Sequence, residues 1–372
     1  MKRQITHQAA VGNKRNGIFK FIYDRFGLDS LNYEVPAHAN TLPFTLGGIT
    51  AVSLLLTMIS GIVLAFWYVP LPEQANTSIR VIMEKVYWGS MVRGIHYWSA
   101  QLTMIALVLH VLRVFLYGSY KKPREGNWLV GVLLFGVMVG LYFTGTSLKW
   151  DQEGFEALEH AESIAGTFGL GGLFSTAYVP VLIRLFIAHV SILPVLLVVL
   201  LFIHMLLVKR MKISELPWKK KSVVPAVSQV TAEIAATAEV SNLHVKKHTF
   251  VQHFRKLFGY GFIIFGIVVI LAVLVPPSLG PAPLTGIEVT KPLWPFLWIY
   301  SVEEWFGING AVIASTILFT GMLAVPFFDR GSDSSIGKRK WIVSVGLAVA
   351  IALLILTIYA VFSSPVVHLD ME

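Results

Sequence analysis

The sequence predicts an all-α integral membrane protein with seven transmembrane helices. Of its 372 residues, 55% are hydrophobic and only 14% are charged, and the mean hydropathy is +0.68, which excludes an ordinary soluble globule. Seven apolar stretches are each about 18 residues or longer, the length that crosses a bilayer. They cover approximately residues 46–68, 94–117, 128–147, 181–207, 258–275, 308–326 and 341–362.

The positive charges indicate an orientation. Of the 30 Lys and Arg residues, 23 fall in residues 1–43, 117–128, 209–257 and 327–340, which share one side if the spans alternate. The positive-inside rule makes that side the cytoplasm. We therefore expect a multi-pass protein of the bacterial cytoplasmic (inner) membrane with a cytoplasmic N-terminus and no cleaved signal peptide. The net charge of +9 then reflects topology, and we expect no nucleic-acid partner.

Two spans each carry two histidines. His96 and His110 are fourteen residues apart, about 21 Å along an α-helix and within about 40° of one face. His189 and His204 are fifteen apart, about 22 Å and within about 60°. If both helices cross in the same direction, His96 faces His189 and His110 faces His204.

Histidine inside a membrane span is costly and is retained mainly for function. A hydrogen-bonded histidine without a metal is the simpler interpretation of any one of them. Four at matched depths favour two b-type haems, because two axial imidazoles satisfy a haem iron and the chain has no cysteine. The sequence thus predicts two bis-histidine haem sites at two membrane depths.

Glycines and arginines occur near the histidines. The glycines of the first and third spans permit close helix approach or make room for porphyrin rings; they include Gly47, Gly48, Gly61, Gly131 and Gly145. The arginines either pair with haem propionates or simply reach toward water at helix ends; they are Arg93, Arg113, Arg124 and Arg184.

The loop after the third span is acidic. The string KWDQEGFEALEHAESIAGTFGLGG carries five carboxylates against Lys149. It is either a solvated loop or a docking face for a basic electron carrier.

Several strings resemble the cytochrome b/b6 family. Residues 33–217 are similar to cytochrome b6 in VPAHAN, LGGIT, RGIHYWSAQ, HVLRVFLYGSYKKPRE, GTSLKWDQ and the stretch from RLFIAHVSILP to HMLLVKRMKISELP. Residues 258–362 resemble its partner, subunit IV, in span number and in LVPPSLGPAP, KPLWPF and AVPFFDR. The resemblance therefore implies a fusion of an N-terminal four-helix dihaem bundle (1–210), a cytoplasmic-side linker (211–257) and a three-helix, subunit IV-like C-terminal half (258–372).

The resemblance implies a quinol-oxidising oxidoreductase. Quinol would be oxidised on the outer side, and electrons would pass to a Rieske iron–sulfur protein or an outer cytochrome c and through two haems to an inner quinone site. The haem ligands would be His96 with His189 and His110 with His204. The family's haem-packing glycines fall on Gly48, Gly61, Gly131 and Gly145, and its inner quinone pocket falls near His38, Arg113 and Lys209. A homodimer is expected.

The sequence departs from the family at three places. Where the partner subunit carries Pro-Glu-Trp-Tyr, this chain has Pro292, Leu293, Trp294 and Pro295, so the motif's proton acceptor is a leucine. We consider Trp294, Glu303 and Glu304 as catalytic candidates, the two carboxylates forming a displaced proton exit. The acidic loop is shorter and has Lys149 where proline is usual. Thr45 replaces a cysteine that fixes an extra inner haem; covalent attachment is excluded, and a non-covalent haem stays open.

Three functions are consistent with these observations. The first is the dihaem cytochrome b subunit of a bacterial quinol:cytochrome c oxidoreductase of the bc/b6f type. The second is the cytochrome b of a variant complex whose altered outer site feeds a multihaem cytochrome or runs toward quinone reduction. The third is a non-catalytic membrane scaffold that retains haem.

Overall fold

Seven long apolar helices form the body of the protein in a computed structural model, which describes residues 21, 24–25, 34–174, 178–218, 248–331 and 333–367. All seven are long and apolar enough to cross a membrane, which confirms the predicted all-α membrane fold. They are called the first to seventh spanning helices here: Leu42–Ala65, Gly89–Leu116, Glu125–Ser147, Val181–Met211, Phe250–Leu274, Leu297–Phe328 and Lys340–Phe362.

The helices extend beyond the apolar runs that predict them. The second begins at Gly89 and the fifth at Phe250, ahead of the expected residues 94 and 258, because helical backbone continues past the apolar core into polar flanking residues. The fifth helix thus includes the end of the predicted linker. Residues 219–247 of that linker, and most of the basic segment 1–43, lie outside the described residues.

The connections fall on two faces. The acidic-loop face carries residues 66–88, 148–174, 178–180 and 275–296, including the helices Ala75–Glu84 and Gln152–Thr167. The basic-loop face carries residues 34–41, 117–124, 212–218, 329–331 and 333–339. There the two-residue strands Glu34–Val35 and His248–Thr249 pair antiparallel.

Helix packing places the histidine-bearing helices against glycine-bearing ones. The first spanning helix packs along the second, and the third along the fourth, while the fifth covers the second and the sixth contacts the third and seventh. An apolar cluster lies between the depth of His96 and His189 and the depth of His110 and His204, and its burial removes hydrocarbon surface from solvent. It consists of Leu54, Leu107, Leu134, Met138 and Leu197.

Two spanning helices are irregular. The fourth contains a π-helical segment at Ala188–Ile192, just before Pro194, which lacks the backbone N–H for a regular helical hydrogen bond. The sixth is broken at Gly307, whose φ of 65° and ψ of −176° are not helical. The predicted sixth span of 308–326 matches only the part after this break.

A buried charge cluster on the basic-loop face joins the two halves of the chain. Asp329 pairs with Lys121 at 2.8 Å and with Arg339 at 2.7 Å, and it accepts a hydrogen bond from the Tyr120 hydroxyl. Arg339, 1% exposed, also donates to the carbonyl oxygens of Phe115 and Leu116. The KKPRE region is therefore tied to the loop between the sixth and seventh spanning helices.

Candidate functional site

His96 and His189 face each other from the second and fourth spanning helices. Their ring centroids are 6.4 Å apart and the ring planes are inclined by 72°. Two metal–nitrogen bonds of about 2 Å, with about 1 Å from each nitrogen to its ring centroid, span roughly 6 Å. The separation therefore fits one metal held between two imidazoles.

Hydrogen bonds orient these two rings. Nδ1 of His96 lies 2.9 Å from the Thr57 carbonyl oxygen, and Nδ1 of His189 lies 2.9 Å from the Thr144 hydroxyl oxygen. A histidine that donates from one ring nitrogen presents the other as a ligand. Both rings are thus held with Nε2 available to a metal.

Glycines flank all four histidines. A Cβ atom added to Gly61 or Gly145 would lie 2.9 Å from Cε1 of His96 or His189, and one added to Gly131 would lie 3.5 Å from Cε1 of His204. His110 meets Gly47 at 3.0 Å, whereas Gly48 faces Leu257. Gly47 is thus the glycine in contact with His110, and the role of Gly48 in packing against a haem stays a prediction.

His110 and His204 form the second pair, nearer the basic-loop face. They lie within electrostatic range of each other, and Nδ1 of His110 is buried without a hydrogen-bond partner among the described residues. No cluster of three or more His, Cys, Asp or Glu residues suited to a metal ion occurs in the described part of the chain. Paired imidazoles beside glycines suit a flat macrocycle rather than a bare ion.

The four arginines predicted beside the haems donate to backbone carbonyl oxygens. Arg93 contacts Pro277 and Ser278, Arg113 contacts Pro43, Arg124 contacts Met211 and Lys212, and Arg184 contacts Leu173. Arg93 also lines the cavity described below. Their pairing with propionates stays a prediction.

The structure brings together two of the three residues predicted near the inner quinone pocket. The Phe44 ring lies 4.7 Å from the His38 ring, centroid to centroid, and 4.3 Å from the Arg113 guanidinium carbon. His38 Nε2 lies 2.9 Å from the carbonyl oxygen of Ser214. Lys209 is exposed near the end of the fourth spanning helix.

A cavity of about 610 Å³ opens beside His96 and His189. Ligand pockets commonly have about this size, with mostly apolar walls and a few polar groups. Gly61 and Gly145 line it, and so do four residues from the ends of helices and from loops near the acidic-loop face. These four are Arg93, Tyr97, Lys149 and Leu293.

Trp294 adjoins this cavity through a hydrogen-bonded triad. Its Nε1 donates to Oε1 of Gln101 at 2.7 Å, and the Tyr142 hydroxyl donates to the same oxygen at 2.6 Å. Gln101 and Tyr142 line the cavity. The triad fixes the segment that carries Leu293, and sequence reasoning missed Gln101 because a single glutamine in an apolar helix belongs to no spaced pattern.

Glu303 and Glu304 have other partners. Glu303 lies 3.0 Å from Nδ1 of His160, whose Nε2 lies 2.9 Å from Glu288. Burial lowers the pKa of His160, but the two carboxylates outweigh it and raise that pKa to about 10. Glu304 accepts a hydrogen bond from the Tyr359 hydroxyl. The described residues that line the cavity include neither carboxylate. A proton-exit role for them stays a prediction.

Known proteins match both the sequence and the fold. A family model described as Cytochrome b/b6/petB matches residues 31–212. The cytochrome b6 of Heliomicrobium gestii is 35% identical over 197 residues, which cover 50% of this chain and 92% of that protein. The chain belongs to the cytochrome b/b6 family. The menaquinol:cytochrome c reductase cytochrome b subunit of Bacillus subtilis is 35% identical over 219 residues, 54% of this chain and 98% of that subunit.

A solved structure extends the fold match to the C-terminal half. A chain of a hyperthermophilic respiratory complex III superposes with a TM-score of 0.77 and 23% identity, covering 93% of this cytochrome b and 92% of that chain. At this identity the match shows the fold alone. The protein is thus a multi-pass membrane cytochrome b of the bc/b6f type, and membership implies b-type haem binding and interaction with quinone.

Proposed function

We propose that this cytochrome b is the dihaem subunit of a bacterial quinol:cytochrome c oxidoreductase. The observation that carries the proposal is the pairing of His96 with His189 at 6.4 Å, flanked by Gly61 and Gly145. His110 and His204, beside Gly47 and Gly131, would hold the second haem. When bound, the two haems supply one-electron transfer across the membrane.

Other residues of the chain would form the two quinone sites and the docking face for the partner protein. The cavity beside His96 would bind quinol, and the Bacillus subtilis relative is named for menaquinol. On the opposite face, quinone would bind near His38, Arg113 and Lys209. By the charge pattern the basic-loop face is cytoplasmic and the acidic-loop face is external. A Rieske iron–sulfur protein or a cytochrome c would dock on the acidic-loop face, and the complex would be a homodimer in the bacterial cytoplasmic membrane.

The variant complex remains the second candidate because of Leu293. This cavity-lining side chain stands where the family's motif carries a glutamate, and leucine accepts no proton. In that case the outer site would feed a multihaem cytochrome or run toward quinone reduction.

Haem stoichiometry and quinol reduction test the proposal. The purified complex should contain two b haems per chain, and His96→Ala and His189→Ala should each remove the same one, whereas His110→Ala and His204→Ala remove the other. In a dithionite-minus-quinol difference spectrum, an inhibitor specific for the outer pocket should change haem reduction by quinol. Sensitivity to inner-pocket inhibitors alone would favour the variant complex, and two haems that quinol never reduces would indicate a scaffold.

A further inference from the structure

Two departures from the family pattern meet at one cavity. Leu293, which replaces the motif glutamate, and Lys149, which stands where proline is usual, both line the cavity beside His96 and His189. One change removes a carboxylate from the wall and the other adds an ammonium group. A carboxylate paired with Lys149 would restore a proton acceptor to the same cavity.

Glu153 is that carboxylate. It lies one helical turn after Lys149, and its Oε2 is 2.5 Å from the Lys149 Nζ. Lys149 is a residue of the cavity wall, whereas Glu153 is not among the described residues that line the cavity, so this carboxylate is linked to the cavity through Lys149. Its side chain is 20% exposed, so it also reaches solvent for proton exchange.

The neighbouring carboxylates are already engaged. Asp151 accepts from the backbone N–H groups of Gly154 and Gly280, and Glu156 accepts from those of Val289 and Thr290. In contrast, Oε1 of Glu153 is buried and has no hydrogen-bond partner among the described residues. A buried acceptor without a donor is costly, so this oxygen is free to accept a hydrogen bond or a proton.

The electrostatic surroundings suit proton acceptance. Burial raises the pKa of Glu153 above its ordinary value, opposed by Lys149 and reinforced by Asp151 and Glu156. A base whose pKa approaches the working pH is the more effective catalyst. Tyr97 of the second spanning helix and Tyr142 of the third also lie within electrostatic range of Glu153, and Arg93 lies within range of Tyr97 and Asp151.

We propose that Lys149 and Glu153 are the quinol-binding and proton-accepting pair of this cavity, replacing the carboxylate that the family carries at position 293. Lys149 Nζ donates to a quinol oxygen. The quinol O–H bond breaks as an O–H bond forms on Glu153, and Glu153 releases that proton to water before taking the second. The two electrons pass to the one-electron acceptors of the proposed function. One acceptor is the outer iron–sulfur protein or cytochrome, and the other is the pair of haems. The inference rests on that proposed function.

Substitution in the whole complex tests the pair. Glu153→Gln, which keeps the side-chain shape, should lower the turnover number for quinol oxidation by roughly a hundredfold without changing haem content. Glu153→Asp should retain part of the activity and shift its pH profile. Glu162→Gln, on an exposed residue of the same helix, should match wild type. Redox-difference infrared spectra should lose one carboxyl signal in Glu153→Gln alone.

A rescue variant separates proton acceptance from a structural role. Glu153→Gln combined with Leu293→Glu should regain activity, because it returns a carboxylate to the wall of the same cavity; a merely structural loss would not be rescued. Turnover of Glu153→Gln within twofold of wild type, or failure of the rescue with both haems present, would overturn the inference. Inability of the wild-type complex to oxidise quinol would overturn the proposed function instead.

Discussion

Gly47 lies against His110, and the adjacent Gly48 does not. A Cβ atom at residue 47 would lie 3.0 Å from Cε1 of His110, whereas one at residue 48 would meet the flexible end of Leu257. The two glycines therefore have different tasks, one beside a predicted haem ligand and the other at a helix contact.

Substitution of these glycines should separate the two tasks. Gly47→Val should abolish or strongly reduce the haem at His110 and His204, because the added methyl groups occupy the space of the imidazole and its macrocycle. Gly48→Ala should retain both haems, since Leu257 can change rotamer. The measurement is the haem-to-protein ratio with the two b-haem signals resolved by redox titration. Equal haem loss in both variants would contradict the assignment.

The Trp294 indole should affect quinol binding more than turnover. Trp294→Phe removes the hydrogen bond to Gln101, worth about 1 kcal/mol or roughly fivefold in affinity, while Tyr142 still satisfies the Gln101 oxygen. We expect a severalfold higher KM for quinol and a turnover number near wild type. Steady-state kinetics would measure both.

Gln101→Leu is the stronger variant of the same triad. It leaves the Trp294 N–H and the Tyr142 hydroxyl without their common acceptor. Two donors then lack a partner, one of them on the buried Tyr142, which costs more than one lost hydrogen bond. A KM for Gln101→Leu equal to or below that of Trp294→Phe would show that the triad does not shape the cavity.

The histidine pairs were predictable because each signal is strong by itself. Ionisable residues are conspicuous in apolar helices, and α-helical spacing fixes their relative depth. The difference between fourteen residues in the second spanning helix and fifteen in the fourth has a structural cause that the sequence alone does not reveal. The π-helical segment Ala188–Ile192, which contains His189, accommodates one extra residue.

Other features depend on tertiary contacts and were not predictable. Two adjacent glycines point in directions about 100° apart around the helix axis. Which of them faces a histidine depends on how the helix is rotated against its neighbours, and the sequence does not specify that rotation. The pairing of Glu303 with His160 joins residues 143 positions apart, and that of Asp329 with Tyr120 joins residues 209 apart. Periodicity within one helix carries no information about such partners.

Asp329 should be essential for joining the two halves on the basic-loop face. Its carboxylate forms ion pairs with Lys121 and Arg339, whose side chains are 6% and 1% exposed. Breaking a buried ion pair costs about 3 kcal/mol or more because the other charge is left unpaired. Asp329→Asn should therefore lower the thermal unfolding midpoint of the purified protein markedly.

A matched control lies on the same loop. Asp333 pairs with Lys338 at 2.9 Å, but these side chains are 48% and 75% exposed, and exposed pairs contribute little. Asp333→Asn should leave the midpoint nearly unchanged. If both variants lowered it equally, burial of the Asp329 cluster would not be the cause.

His160 should make stability on the acidic-loop face depend on pH. Its ring lies between Glu288 and Glu303, and its pKa is raised from 6.5 to about 10, with Glu159 also within electrostatic range. A raised pKa in the folded state means that protonation stabilises the fold. This contribution should be complete below about pH 6.5 and should be lost as the pH rises through about 10. Thermal unfolding midpoints measured across this range for wild type and His160→Gln should converge at high pH, and a constant difference between them would contradict the assignment.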